Sequence, residues 1–233
     1  MREASAPLNA LHPLDHGTLS RRVYEQLRNF LMVGGVQPGE KLTLRQLTSV
    51  FGTSLMPVRE AVQRLAAEGA LEALPNRTIR VPIMTRSRFR EIRRIRIALE
   101  GMAVEEATSR ITPEDLAQLE ALNTSFTEEV LRKRNDADRM FRNNKEFHFT
   151  VYRAANMPAL LGLIENMWLQ IGPMLHYSLK FRGWEMTSQF APDCHENLIK
   201  ALRRQDARSA REALEADIMN AGELVLRVSN LPD

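Results

Sequence analysis

Side chains that can bind a metal ion occur at four positions in the second half of the 233-residue chain: Asn144, His148, His195 and Asp217. Asn144 and His148 are four residues apart, so they share one face of a helix. Imidazoles, carboxylates and amide oxygens are ligands of metals such as Zn²⁺, Ni²⁺ and Mn²⁺. A lone histidine is more often a hydrogen-bonded core residue than a ligand, so the spacing alone leaves both interpretations open.

A second stretch has the pattern of a nucleic-acid contact. Residues 39–82 predict two short helices on either side of a tight break, which Gly52 closes and for which Thr53 and Ser54 offer an N-cap. Two helices joined in this way form a helix-turn-helix, whose second helix can lie in the major groove of DNA. The alternative is a generic helical pair packed on a core, and periodicity alone does not separate the two.

In a helix-turn-helix, the first residues of the second helix face the base edges; here they are Ser54, Leu55, Met56 and Arg59. Arginine can donate two hydrogen bonds to guanine, whereas leucine and methionine can only contact the methyl group of thymine. Three more arginines suit phosphate or minor-groove contacts: Arg45 on the preceding helix, and Arg77 and Arg80 in a predicted hairpin. For each arginine the alternative is a surface ion pair.

The elements that carry these residues are predicted to be almost all helical. A first helix spans residues 18–32, and a small hairpin follows the helix-turn-helix up to Val81. Beyond it the pattern predicts helices at 87–109, 113–134, 136–155, 158–180, 188–204 and 206–229, and no strand. The apolar stripes that define these helices include Phe30, Val50 and Ile95.

The sequence therefore predicts a mainly α protein with an N-terminal winged helix-turn-helix and a C-terminal antiparallel bundle of six to seven helices. The winged helix-turn-helix has three helices plus a small β-hairpin wing. We expect a flexible arm over residues 1–17, the winged helix-turn-helix over 18–83, and an all-helical domain over 84–233.

Composition limits the class of protein. No apolar run approaches the roughly 20 residues that a membrane span needs, and we see no secretory signal. The single cysteine, Cys194, excludes an internal disulfide, fits a reducing cytoplasm, and is interpreted as a packing residue. The net charge of +3 lies within residues 1–84, which hold 10 Lys+Arg against 7 Asp+Glu, whereas the rest holds 22 of each. This small excess permits phosphate binding.

The N-terminal stretch resembles the DNA-binding domain of GntR-family bacterial transcription regulators. The matching residues are Gly34, Pro38-Gly39-Glu40-Lys41-Leu42, Leu44 and Leu47, Pro57-Val58-Arg59-Glu60-Ala61, Leu65, Glu68-Gly69, Pro75-Asn76-Arg77 and Val81. The family usually has basic or polar residues where this chain has Leu55 and Met56, so the resemblance implies an operator that differs from the usual one.

The C-terminal region resembles the all-helical FCD ligand-binding domain of the FadR-type branch of that family. The matching residues are Arg96, Leu99-Glu100, Phe147-His148, Asn156, Pro158, Leu160, His195, Leu198-Ile199, Ala201-Leu202, Asp206-Ala207 and Ala210. The resemblance implies a divalent metal held by Asn144, His148 and His195, with Asp217 where the family usually has a histidine. It also implies that Arg96 lies near a ligand carboxylate; the alternative is an ion pair with Glu100. We expect that His176 and Tyr177 line the same cavity, or that they belong to the core.

These resemblances imply a cytoplasmic, ligand-responsive regulator that binds double-stranded operator DNA as a homodimer, with no membrane association and no enzymatic activity. The expected effector is a small organic or sugar acid, and the expected cofactor is Zn²⁺, Ni²⁺ or Mn²⁺. Two alternatives stay open: a DNA-binding protein with a metal-free or vestigial pocket, and a metal-dependent hydrolase or lyase. The enzyme is disfavoured because the chain lacks an HExxH motif, a nucleophile elbow and a Gly-rich phosphate loop.

Overall fold

A computed structural model of the chain describes residues 17–74, 78–132, 136–179 and 190–233. The described elements are α1 (Gly17–Met32), β1 (Lys41–Thr43), α2 (Leu44–Phe51), α3 (Leu55–Ala67), β2 (Glu72–Leu74), β3 (Thr78–Arg80), α4 (Arg86–Ala107), α5 (Pro113–Val130), α6 (Ala137–Ala154), α7 (Pro158–Leu179), α8 (Phe190–Arg203) and α9 (Ala207–Val228). The predicted arm lies outside the described residues except for Gly17, which begins α1. The chain is mainly α, as predicted.

Local capping sets the geometry of the helix-turn-helix. Thr43 begins α2 through a capping box, in which its hydroxyl and backbone N–H exchange hydrogen bonds with Gln46. Gly52 ends α2 in the left-handed conformation, with φ of 59°, and its N–H donates to the carbonyl of Thr48. Ser54 then stands at the N-cap of α3, although its side chain makes no capping hydrogen bond. The turn between the two helices is therefore short and fixed by its backbone.

The wing is larger than the sequence predicts. The predicted hairpin is present as β2 and β3, whose connecting residues 75–77 lie outside the described part of the chain. A third strand, β1, pairs antiparallel with β3 on its other side, so the sheet order is β1-β3-β2. Ile79 lies in the central strand, opposite Leu42 on one side and Ala73 on the other, and is buried. A strand of three residues is too short to show the alternation by which strands are recognised.

Two hydrophobic cores hold the described chain together. We call α1 through β3 the winged-helix unit; its core includes the buried residues Val23, Leu27, Leu31, Val58 and Leu65. We call α4 through α9 the helix bundle; its core is larger and contains fully buried aromatic side chains such as Phe89, Phe126, Tyr152 and Trp168. Ion pairs of Arg93 with Glu223 and of Arg211 with Glu105 show that α4 and α9 run antiparallel.

Three residues that the sequence placed on apolar stripes are solvent-exposed instead. Phe30 is 46%, Val50 79% and Ile95 37% exposed. In α1 the buried face is turned toward Tyr24 and Met32, which the sequence did not place in the core. Successive helical residues differ by about 100°, so one apolar side chain at the margin of a stripe can fall on either side of the packing boundary.

The bundle helices begin where the sequence indicates. Thr112 and Asp115 form a capping box at the start of α5, with Pro113 at its first position, and Asp136 caps α6. Among the described residues, no helix combines the length and hydropathy that a membrane span requires.

Candidate functional site

Three potential metal ligands meet inside the helix bundle. His148 lies on α6, His195 on α8 and Asp217 on α9, and each is at least 94% buried. The Nε2 atom of His148 is 3.2 Å from Oδ2 of Asp217, and Nε2 of His195 is 3.8 Å from Oδ1. One ligand atom from each residue can be chosen so that all three lie within 4.8 Å of one another. Residues separated by 69 positions in sequence thus converge as the resemblance implied.

The hydrogen bonds on the far sides of the two imidazoles determine which nitrogen faces the cluster. The Tyr152 hydroxyl donates to Oε2 of Glu100 over 2.5 Å, so at 3.3 Å its oxygen accepts from Nδ1 of His148. His195 donates from Nδ1 to Oδ1 of Asn123 over 3.1 Å. These protonation states are assigned from the hydrogen-bond network. In both rings, Nε2 is then left as the atom that points at Asp217 with a lone pair.

This arrangement fits a bound cation. A lone pair of His148 and a carboxylate oxygen of Asp217 are both acceptors, so a proton or a metal ion must lie between them. The Nε2 atom of His195 is buried and has no hydrogen-bond partner among the described residues. Buried polar atoms are normally paired. A divalent ion would satisfy all three groups at once.

Burial and charge favour the protonation states that bind metals. Burial is the main cause that lowers the pKa of His195 to about 3, against the opposing charge of Asp217, so this imidazole is neutral at pH 7. For Asp217 burial acts to raise the pKa, but the close contact with His148 and the positive charge of Arg96 outweigh it, and the net shift is downward. A neutral imidazole and an ionised carboxylate are the forms that bind metals.

Arg96 and Glu100 form a buried ion pair beside the cluster. The guanidinium donates from Nε to Oε1 of Glu100 over 2.6 Å and from Nη2 to Oε2 over 3.2 Å. Glu100 is fully buried and also accepts from Trp168 and Tyr152. The ion pair weighed in the sequence analysis is therefore present. Arg96 nevertheless also lines the cavity, so the two interpretations of this residue are not exclusive.

A cavity of about 40 Å³ adjoins the cluster, and Asn144, Arg96, His148 and Asp217 line it. Asn144 makes no hydrogen bond to any described residue, so its amide is available to a ligand. His176 and Tyr177 do not line this cavity. On α7 its described wall is formed by Trp168, Leu175, Ser178 and Leu179.

The structure gives those two residues other surroundings. His176 is buried against Gly34 and hydrogen-bonds to Asp138 over 2.6 Å, and Tyr177 is 36% exposed. Neither residue is among the described residues that line the cavity, and the burial of His176 agrees with the alternative that it belongs to the core. Cys194, in contrast, is buried as a packing residue, and burial raises the pKa of its thiol to about 11.

Three supporting residues were not found from the sequence as parts of the site: Glu100, Tyr152 and Asn123. Tyr152 lies four residues after His148, a spacing that puts both on one helix face and could have pointed to it. Glu100 was considered only as an alternative partner of Arg96. Asn123 lies on α5, and nothing in its sequence surroundings indicates a contact with a histidine 72 positions away.

The predicted DNA-contacting residues lie on one exposed side of the winged-helix unit. Ser54, Leu55, Met56 and Arg59 occupy the start of α3 with exposed side chains. Arg45 and Arg59 form no ion pair within the described chain, whereas Arg80 donates two hydrogen bonds to Glu72 in the adjacent strand. Arg80 thus has the ion pair that was its alternative. Arg77 lies outside the described residues.

Comparison with known proteins identifies both parts of the chain. Residues 19–81 match the family model described as bacterial regulatory proteins, gntR family, and residues 91–220 match the FCD domain. McbR, an HTH-type transcriptional regulator of Escherichia coli, is 32% identical over 91% of this chain and 95% of its own. This chain belongs to the GntR family of transcription regulators.

Further matches agree with this assignment. The solved structure of E. coli McbR superimposes with a TM-score of 0.82 at 30% identity, over 91% of this chain and 99% of that one. A GntR structure from Rhodococcus sp. RHA1, 19% identical over 91% of this chain and 99% of its own, shares the fold with a TM-score of 0.72. The gluconate operon transcriptional repressor of Bacillus licheniformis is 27% identical over 85% of this chain and 82% of its own. The GntR-family protein is a regulator with an FCD effector-binding domain, and the enzyme alternative is set aside.

Helix α7 belongs to the effector-binding domain of this GntR regulator and packs against its DNA-binding domain. Trp168 lines the cavity, while the next residue, Leu169, is buried in the core of the winged-helix unit. Gln170 donates from its side chain to the carbonyl of Glu68 at the end of α3. At Gly172 an added Cβ would lie 2.5 Å from the carbonyl oxygen of Met32 in α1. One helix therefore contacts both the cavity and the helices that position the DNA-binding face.

Proposed function

We propose that this regulator is a cytoplasmic repressor that binds operator DNA as a homodimer and is released by a small carboxylate effector bound at a divalent metal. The DNA-binding domain comprises residues 18–83, and residues 84–233 form the ligand-binding and dimerisation domain. Relatives that are named repressors support this direction of regulation. Two DNA-binding domains related by a two-fold axis would contact two operator half-sites one helical turn apart.

The observation that carries the proposal is the buried Nε2 of His195, which has no hydrogen-bond partner among the described residues and lies 3.8 Å from Asp217, a residue that lines the cavity. These three residues would hold the ion, with the amide oxygen of Asn144 as a fourth ligand. A bound divalent ion would supply a positively charged Lewis acid to which a carboxylate can bind. The set includes two oxygen ligands, which favour Zn²⁺, Ni²⁺ or Mn²⁺ over softer metals.

Arg96 supplies the second positive group. Its Nε and one Nη2 donor are used by Glu100, which holds the guanidinium rigidly in the cavity wall, and Nη1 makes no hydrogen bond to a described residue. A guanidinium fixed in this way can accept an anionic ligand without further ordering of its side chain. The gluconate operon repressor suggests sugar acids as one class of effector, and other small organic acids are the second class.

On the DNA side, Arg59 is supported as a base contact because it is exposed, unpaired within the described chain, and near the start of α3. Ser54 and Arg45 are supported by the same exposure. Arg80 is less free, since it would have to exchange Glu72 for a phosphate.

Metal analysis combined with operator titration tests this function. We expect about one divalent ion per chain in the wild type and none in His195→Ala. Cys194→Ala is the matched control, because Cys194 is a buried neighbour on the same helix whose thiol is held protonated; this variant should retain the ion.

Operator sites would be recovered from a random DNA pool with the wild-type protein and titrated with and without candidate acids. An acid that binds the released state more tightly must weaken DNA binding. If no metal is retained and no acid changes operator affinity, the metal-dependent effector mechanism is wrong, and the DNA-binding regulator remains.

A further inference from the structure

The cavity that adjoins the metal-ligand cluster is small. Its volume of about 40 Å³ gives room for roughly three water molecules, if each needs about 10–15 Å³. The cavity is therefore small beside the roughly 300–1,000 Å³ of pockets that hold drug-sized ligands, and it favours a ligand with few non-hydrogen atoms.

The described residues that line the cavity fall into a charged group and an apolar group. Arg96, His148 and Asp217 lie close to one another and form the charged group. Most of the remaining described wall is apolar, with side chains of Phe126, Phe141, Leu175, Leu179 and Ile218. A carboxylate is therefore best placed at the charged group, and the rest of the ligand would contact hydrocarbon and aromatic surface.

Among the lining residues that the structure describes, few hydrogen-bonding groups are available to a hydroxylated ligand. Ser178 already donates its hydroxyl proton to the carbonyl of Leu175, and Arg96 uses two of its donors on Glu100. Asn144 is the one polar lining residue whose side chain makes no hydrogen bond to a described residue. Each buried hydroxyl without a partner weakens binding by about tenfold.

From this geometry we infer that the effector is a short monocarboxylic acid with an apolar tail, of the size of propanoate or butanoate, and not a polyhydroxylated sugar acid. The inference rests on the proposed function, since it specifies the ligand of the same cavity. The carboxylate binds at the charged group, and the tail packs among Phe126, Phe141 and Leu179.

A matched series of acids tests the tail. The metal-loaded full-length regulator is titrated by calorimetry with butanoate, with glycerate (similar in size but with two hydroxyls), with gluconate, and with butanamide (the same tail without the charge). We expect butanoate to bind at least tenfold more tightly than glycerate. Gluconate and butanamide should not bind measurably.

A change in the wall should change the preference. Leu179→Asn places an amide of similar size in the apolar wall and should reduce the ratio of butanoate to glycerate affinity by at least fivefold. Leu163→Asn, on the exposed side of the same helix, is the control and should leave the ratio unchanged. If Leu179→Asn does not fold, the wild-type acid series still decides the question.

The outcomes separate the inference from the function on which it rests. Tighter binding of gluconate or glycerate than of butanoate would overturn the inference and leave an acid-responsive regulator in place. If neither kind of acid binds or alters operator affinity, the effector mechanism itself is contradicted, and the inference falls with it.

Discussion

At the scale of single residues, the Tyr152 hydroxyl determines which ring nitrogen of His148 carries the proton and which one faces the cluster with a lone pair. It donates to Glu100 and accepts from Nδ1 of His148, which leaves Nε2 able to act as a metal ligand. Groups that orient a metal-binding histidine in this way typically contribute 10–100-fold to metal affinity. We therefore expect Tyr152→Phe to weaken Zn²⁺ binding by about 10–100-fold, measured by competition with a chromophoric chelator.

The matched control for this prediction is Tyr24→Phe. It removes a hydroxyl that also donates to a glutamate, Glu68, but in the winged-helix unit. Equal Zn²⁺ affinity in both variants would show that Tyr152 does not orient His148.

The apolar start of α3 leads to a second prediction at this scale. Leu55 and Met56 are 39% and 59% exposed at positions that we expect to face base edges, and neither can hydrogen-bond to a base. Replacing a contacted thymine of the selected operator by uracil removes only the methyl group. Each such methyl contact contributes about 0.8 kcal/mol, so affinity should fall by about fourfold.

Substitutions at Leu55 and Met56 distinguish this methyl contact from an effect of uracil on the DNA itself. With Leu55→Ala and Met56→Ala together, thymine and uracil operators should bind equally. Arg59→Ala should weaken both operators and preserve their ratio. An operator whose thymines can all be replaced without loss would refute methyl recognition.

At the scale of elements, the close packing of α7 on α1 gives a third prediction. Because a Cβ at Gly172 would lie 2.5 Å from a backbone oxygen, Gly172→Ala must push the two helices apart. Overpacking of this kind costs about 1–3 kcal/mol. Thermal and denaturant unfolding should show this loss, and the effector response of operator binding should weaken as well.

The same helix contains its own control. At Gly162 an added Cβ would meet nothing within 4 Å, so Gly162→Ala should be neutral or stabilise the protein by up to about 1 kcal/mol through helix propensity. If Gly172→Ala and Gly162→Ala lose the same stability, the close approach of Gly172 to the backbone of Met32 is not the cause of the loss.

The elements also show how far the sequence determines the fold. Caps at Thr112, Asp136 and Gly52 were predictable because they depend on residues next to one another in the chain. The convergence of His148, His195 and Asp217 came from family resemblance, since no local pattern specifies how α6, α8 and α9 pack.

The structural features that the sequence did not predict depend on contacts between residues far apart in the chain. Strand β1 exists because β3 pairs with it, and the placement of Leu169 in the other core depends on how α7 docks. The apolar character of the cavity also became evident only when Phe126 and Ile218, 92 positions apart, were seen in one wall.

At the scale of the whole molecule, α7 contacts both the cavity and the winged-helix unit, and the proposed function requires that the two sites be coupled. If an acid weakens operator binding by some factor, the operator must weaken binding of that acid by the same factor. Coupling of this kind typically amounts to 5–150-fold. We expect operator titrations at saturating acid, and acid titrations at saturating operator, to give one common factor in this range.

This equality distinguishes coupling within the proposed homodimer from simpler effects. An acid that only dissociates the dimer would make the factor depend on protein concentration, because the monomer–dimer equilibrium would enter the cycle. A factor that is constant across concentrations and close to one in Gly172→Ala would place the coupling in the packing of α7 on α1. A constant factor that Gly172→Ala leaves unchanged would instead require that a second connection between the domains carries the coupling. The covalent connection, where the chain passes from β3 into α4, is the candidate.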